Sequence, residues 1–305
     1  PDFIRPVHRK NEVLGFLRKE LQDLCISRPK SRLEWGIELP FDTDYVTYVW
    51  FDALLNYLTG VGYPNGSSWK DWWAGSTHLI GKDILTTHAI YWTTMLMALE
   101  VPLPKHIVAH GWWLMDDDKM SKSKGNVVNP LELKDRYGVE VFRYFLLREM
   151  SVGLDANFTE ASLVTRNNTE LANALGNLVN RTLNMVEKRF AGIVPPYDSP
   201  VGAEDDELIA LTNALGGEVQ SLVEDIQTHR AVEACISLCR AANKYLNDTV
   251  PFKVVKTDPV RAGSILNVVL HAIREAARWL SPVMPKTMEE LLRRLGADAG
   301  WRLDG

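Results

Sequence analysis

Lys119-Met120-Ser121-Lys122-Ser123-Lys124-Gly125-Asn126 is the stretch of this sequence with most to offer chemistry. Closely spaced ammonium groups and hydroxyls, followed by a glycine, suit a small mobile loop that closes over a polyphosphate. Charge building on transferring phosphate oxygens is best stabilised by donors already in place. A solvated surface loop is the plain alternative for such a basic serine-rich run. A second candidate is Asn177 with Arg181, spaced i, i+4 and so on one face of a helix. Both side chains can hydrogen-bond the base edges of single-stranded RNA. An exposed Asn–Arg pair is also an ordinary polar face. A third is the aromatic run around Trp50 and Tyr57, which taken alone reads as core.

Other features look chemical and are discounted. Gly81-Lys82 is not a phosphate loop of the G-x-x-x-x-G-K type, because the earlier glycine is absent. Cys235 and Cys239 lie at i, i+4 in an apolar helical pattern and read as buried thiols rather than ligands. With Cys25 they form no disulfide framework, which points to a reducing, cytoplasmic compartment. No run approaches the length of a membrane span. The net charge of −5 gives no general pull toward nucleic acid, so RNA binding would need a local basic surface.

The elements that must position these residues fall into two styles. Tyr45 to Phe51 is β-branched and aromatic and predicts a strand, followed by a short helix over 53–60 that ends at Gly60. Thr77 to Gly81 and Ile107 to Ala109 predict further strands, with a helix from Asp83 between them. That order predicts a parallel sheet with ligands at its C-terminal edge. From about residue 160 the pattern is helical, with apolar repeats over 171–186, 208–226 and 265–280 and a break at 193–200. The expectation is α/β followed by all-α: a Rossmann-like part at 1–115, a connecting part at 116–160, and a helical bundle at 161–305.

The strings themselves narrow the reading. KMSKSKGNVV at 119–128 resembles the second signature of class I aminoacyl-tRNA synthetases. Ile26-Ser27-Arg28, Trp35-Gly36-Ile37, the run from Tyr48 to Tyr57, His78 to Ile84 and Phe142 to Arg148 resemble, in order, passages of methionyl-tRNA synthetases. His78-Leu79-Ile80-Gly81 is not the first class I signature, since it has an extra residue before the glycine and Lys82 after it. The resemblance therefore implies the C-terminal portion of such an enzyme, without the N-terminal half of its catalytic domain.

Carried over to this chain, the resemblance implies a methionine pocket of Trp50, Ala53, Leu54, Tyr57, Ile84 and His88. An apolar, polarisable enclosure suits a thioether. It implies an ATP site of Gly81, Asp83, His110, Gly111, Lys119, Met120, Ser121, Lys122 and Ser123, with Asp83 on the ribose and Lys119 and Lys122 on the phosphates. Lys119 and Lys122 would be the catalytic pair. The helical part would read the anticodon of tRNA-Met through Asn177, Arg181 and Phe252. Phe252 stands where the family commonly has tryptophan, and Thr87 where it often has an aromatic residue. ATP would arrive with Mg2+ as its substrate complex. The family's zinc-bearing insertion would precede Pro1, so no metal is expected in this segment.

The implied reaction joins methionine to AMP, releasing pyrophosphate, then passes the acyl group to tRNA. The missing N-terminal half would be a further partner, and the chain alone is expected to be nearly inactive. Three rivals remain: a class I synthetase for another amino acid of the same subgroup, a non-catalytic tRNA-binding module, and a nucleotidyl-transferring enzyme with a related phosphate loop, which would not need the Asn177–Arg181 face.

Overall fold

A computed structural model describes residues 2–115, 117–120, 127–198 and 202–296. The chain forms two compact units, one of Pro1–Trp112 with Val152–Asp155, the other of Trp113–Ser151 with Ala156–Gly305. The stretch expected to connect two domains thus joins the helical unit, apart from the four residues returned to the first.

In the first unit, β1 (Ile4–Arg5) precedes α1 (Val7–Leu17), and three antiparallel strands follow: β2 (Ser27–Pro29), β3 (Glu38–Leu39) and β4 (Asp42–Thr47). The strand predicted to reach Phe51 stops at Thr47, and Trp50 and Phe51 belong to helix α2 (Val49–Ala53). Thr47, opposite Ser27, is the last residue of β4 in the ladder; one further backbone bond, from the Tyr48 amide to the Ile26 carbonyl at 2.7 Å, precedes the turn into α2. β propensity expresses fit to a pleated, paired surface rather than a backbone preference. Helices α3 (Asn56–Gly60) and α4 (Trp69–Ala74) come next.

Strand β5 (Thr77–Gly81) leads into a short 3-10 turn at Lys82–Ile84, a π-helical segment at Thr87–Trp92 and α5 (Thr93–Ala98). The chain returns in β6 (His106–His110). The sheet order is β1-β6-β5, parallel throughout, with Gly81 beside His110 at its C-terminal edge. This is the edge where an open α/β sheet binds ligands. Ile80, Ile107 and Ala109 carry one core cluster, and Leu54, Leu58, Trp73, Trp92 and Leu96 another.

The second unit opens with a small sheet, β7 (Trp113–Met115) between β8 (Asp118–Lys119) and β9 (Ala156–Asn157). Helix α6 (Pro130–Tyr137) starts at Asn129, whose side chain accepts from the Leu131 amide with proline in the first turn. Helices α7 (Val139–Glu149) and α8 (Glu160–Arg166) follow, then a π-helical stretch at Asn167–Gly176 that runs into α9 (Asn177–Phe190). The bundle is completed by α10 (Ala203–Glu224), α11 (Thr228–Thr249), α12 (Pro251–Val254), α13 (Pro259–Leu280) and α14 (Pro285–Arg294). Its buried face on α13 includes Ile265, Val269, Ile273, Ala276 and Leu280, as the helical repeat predicts. Cys235 and Cys239 are buried in that core with free thiols, and burial pushes both up to about 12.

Two buried ion networks stitch these helices. Glu170 accepts from the Tyr144 hydroxyl at 2.6 Å and from Arg148, Arg166 and Arg240 at 3.1, 2.8 and 3.1 Å. Asp205 accepts from Tyr245 and Arg261, both at 2.7 Å. Burial alone would raise the Glu170 carboxyl, but the Tyr144 bond and the Arg148 and Arg166 charges outweigh it and hold it low.

Candidate functional site

In the first unit the aromatic run proves to be a wall rather than buried filling. Helices α2 and α3 are only five residues each, and they present Trp50, Ala53 and Tyr57 with part of their surface open while Leu54 and Leu58 face the core. The Tyr57 hydroxyl lies 2.9 Å from Nε2 of buried His88, and His88 Nδ1 lies 2.9 Å from the Ile84 carbonyl. A carbonyl only accepts, so Nδ1 carries the proton and Nε2 accepts from Tyr57. Burial lowers the His88 pKa, against the Ile84 bond that raises it, so the ring is neutral. Trp50 stands edge-on to it, with centroids 6.0 Å apart.

Behind Tyr57 lies His78 on β5. The two rings stack at 4.2 Å with planes 15° apart. Trp92 Nε1 donates to His78 Nε2 at 3.0 Å, which makes His78 the Nδ1–H tautomer. Burial, with His88 nearby as a second cause, pushes His78 down to about 4. Trp73 closes the back, pinned by its indole N–H donating to the Pro102 carbonyl at 2.6 Å. The cluster of Trp50, Tyr57, Trp73, His78, His88 and Trp92 is thus aromatic, and its two imidazoles are neutral at neutral pH. Sequence reasoning missed His78, Trp73 and Trp92 as parts of this wall. Their spacing carries no signal, because the contacts that matter cross between elements.

At the sheet's C-terminal edge, Gly81, Asp83 and His110 come together. A Cβ on Gly81 would lie 2.5 Å from Asp83 Oδ1, so glycine leaves room for that carboxylate. Asp83 is exposed and accepts from the Trp112 indole at 3.3 Å. The Lys82 ammonium sits 4.2 Å over the Trp112 ring and donates to Asp155 at 2.5 Å, and the Trp112 amide donates to Asp155 at 2.8 Å. The Lys82 bond first, then the Trp112 amide, hold the Asp155 carboxyl low. Lys82, Trp112 and Asp155 were not singled out from sequence, although Lys82 adjoins Asp83. Gly111 is buried, and a Cβ there would run into the Leu154 carbonyl. Its close backbone approach is therefore to residues 154 and 155 of its own unit.

In the second unit, Lys119 lies exposed on β8, where it pairs with Leu114. Met120 packs half-buried against the cluster of Leu133, Phe145, Phe158 and Leu163. Ser121, Lys122 and Ser123 lie outside the described residues.

Further along, Asn177 and Arg181 are exposed on α9. Arg181 donates to Asn247 near the end of α11 at 2.9 Å, and Asn177 to Asn173 at 3.3 Å. Helix α11 ends at Val250 in the left-handed conformation, φ +42°, and α12 starts at once with buried Pro251. That sharp turn leaves the Phe252 ring 49% exposed, five residues after Asn247. Among the described residues no cluster of three or more His, Cys, Asp or Glu could hold a metal.

The family model described as tRNA synthetases class I (M) matches residues 4–183. The chain belongs to that family. The model for the anticodon binding domain of methionyl tRNA ligase matches residues 194–304. The methionine–tRNA ligase of Caldanaerobacter subterraneus is 43% identical over 97% of this chain, and that of Rickettsia bellii 40% over 99%. The chain spans 47% and 60% of those two relatives. The Mycobacterium tuberculosis methionyl-tRNA synthetase, solved in complex with methionyl-adenylate, superposes with a TM-score of 0.91 at 40% identity. That match covers 98% of this chain and 59% of the synthetase. The Rossmann-like sheet followed by a helical anticodon-type domain is therefore the architecture of this family, as the sequence strings implied.

Proposed function

We propose that this chain is the part of a methionine–tRNA ligase that encloses the methionine side chain, holds the nucleotide and reads the anticodon. The uncharged aromatic enclosure of Trp50, Tyr57 and His88 carries the reading. A thioether offers no hydrogen-bond donor and no charge, and gains from polarisable rings. In a neutral wall a charged side chain would lose its hydration without a counter-ion. Ala53 and Ile84 complete the lining, with Leu54 behind them in the core.

Asp83 accepts from the ribose hydroxyls, with His110 and Gly111 beside the adenine. Lys119 and Lys122 take the phosphates, and Mg2+ comes as part of the ATP substrate. No side chain has to form a covalent bond. The methionine carboxylate attacks the α-phosphate and pyrophosphate leaves; a hydroxyl of the terminal ribose of tRNA-Met then takes the acyl group, and AMP leaves. The residues act by placement and charge. On the helical unit, Asn177 and Arg181 take base edges, and the exposed Phe252 ring stacks on a base. The cytoplasm, where tRNA is charged, is the compartment this reading implies, and no helix among the described residues is long and apolar enough to cross a membrane.

The test is binding of the chain to an anticodon hairpin with the loop sequence CAU, against the same hairpin with those bases scrambled. Preference for CAU of about tenfold or more, lost in Arg181→Ala, is the expected result; a base contact by arginine is worth about 1–3 kcal/mol. Equal binding to both hairpins by folded protein would overturn the assignment of the reading face.

A further inference from the structure

Tyr57 sits on a helix of only five residues and is 37% exposed; beside it the Trp92 ring stands 6.0 Å away, tilted by 42°. One restraint is the hydroxyl's bond to His88. A tyrosine pinned only at its hydroxyl still tilts about that point. The second restraint is the face of His78, stacked at 4.2 Å and nearly parallel. His78 is itself immobile: it is 5% exposed, rises from the middle of the β5–β6 ladder opposite Ile107, accepts from the buried Trp92 indole and meets Trp73 edge-on at 5.7 Å. His88 stands edge-on to Tyr57 at 5.7 Å and to Trp50 at 6.0 Å, so the tilt of Tyr57 sets how wide the enclosure opens beside His88.

We infer that His78 is a positioning residue for amino-acid specificity: by stacking on Tyr57 it sets the width of the enclosure and so excludes branched side chains. The inference rests on the proposed methionine pocket. It is distinct from a catalytic role, since His78 lies behind Tyr57. A linear thioether fits between rings held at a set spacing, whereas leucine, branched at Cγ, needs the wall to give. Without the His78 ring, Tyr57 tilts, the space widens, and leucine gains on methionine.

Two variants of the full chain separate stacking from mere packing. His78→Gln keeps an acceptor for the Trp92 indole and loses the ring; His78→Phe keeps the ring and loses the acceptor. The affinities for L-methionine and L-leucine are measured by calorimetry. In parallel, 3-fluorotyrosine at position 57 is followed by fluorine NMR. An aromatic pair contributes about 0.5–1.5 kcal/mol, so the methionine-to-leucine affinity ratio should fall about two- to tenfold in His78→Gln. It should stay within about twofold of the starting protein in His78→Phe, even where that variant melts lower. The fluorine signal should broaden or move toward the free-residue position in His78→Gln only.

A ratio unchanged in His78→Gln, with methionine still bound by the starting protein, overturns this inference and leaves the proposed function standing. A purely structural role would lower melting temperature in both variants and move the ratio in neither. If the unsubstituted chain, folded and supplied with the N-terminal half that the family resemblance implies, binds no methionine, the pocket assignment fails and the specificity role fails with it.

Discussion

Replacing Glu170 by leucine removes a carboxylate shared by four donors, the Tyr144 hydroxyl and the guanidinium groups of Arg148, Arg166 and Arg240. Glu170 is 2% exposed and Tyr144 1%, so neither can turn to water when its partner is lost. Breaking a buried charge pair by removing one partner costs about 3–5 kcal/mol, because the remaining charge stays buried. Here the lower end applies: the Arg240 and Arg166 side chains are 47% and 30% exposed and can swing outward, and Arg148, at 13%, keeps its ion pair with Glu233. For a unit of this size about 3 kcal/mol corresponds to a fall of roughly 6–12 °C in melting temperature. Glu170→Gln keeps an acceptor for Tyr144 and should lose roughly half as much. Scanning calorimetry of the chain, with the helical unit's transition resolved, reads both. A cooperative transition lowered by less than about 2 °C in Glu170→Leu would refute the reasoning, since the network would then be worth no more than exposed ion pairs.

Acid should weaken the first unit before its carboxylates titrate. His78 is held at about 4 and His88 below its usual value, both chiefly by burial, so both are neutral in the fold. An unfolded histidine takes up a proton near pH 6.5, so their contribution is complete above that pH and erodes as pH falls toward 4, by roughly 3 kcal/mol for His78. A denaturation midpoint followed by tryptophan fluorescence that stayed level from pH 7.5 to 4.5 would contradict this. Gly111→Ala should destabilise the first unit by about 3 kcal/mol or more, because its methyl group meets the Leu154 carbonyl in a buried site. A loss under about 1 kcal/mol in urea would show that the backbone at residues 154 and 155 moves aside freely.

The sheet edge was legible because β5 and β6 are short apolar runs with a glycine where a ligand-bearing edge needs one, and the parallel register puts Gly81 beside His110. The helical repeats were legible for the same reason: one face of α13 is continuous core. Trp50 and Phe51 were misread as strand because their types favour pleated surfaces, while the backbone pairing of β4 ends at Tyr48 and the chain turns into α2 at Val49. His78, Trp92, Trp112 and Asp155 could not be read at all as site residues. Each matters through a contact with a residue between 14 and 73 positions away, and no local pattern encodes such a distance.

The first unit is interrupted in sequence, and that has a consequence for synthesis. Val152–Asp155 return to it after about 40 residues spent in the other unit. They are not decoration: the Gly153 carbonyl accepts from Arg9 at 2.6 Å, and Asp155 binds Lys82 and the Trp112 amide. A ribosome moving at about 5–20 residues per second needs roughly 2–8 s to make the intervening stretch. During those seconds Lys82 lacks its native acceptor and Arg9 has only Glu12, so a nascent chain halted near residue 140 should expose a first unit that proteases still open. The surroundings of the sheet's C-terminal edge become complete only after Trp113–Ser151 has itself been made, which ties the birth of one unit to that of the next.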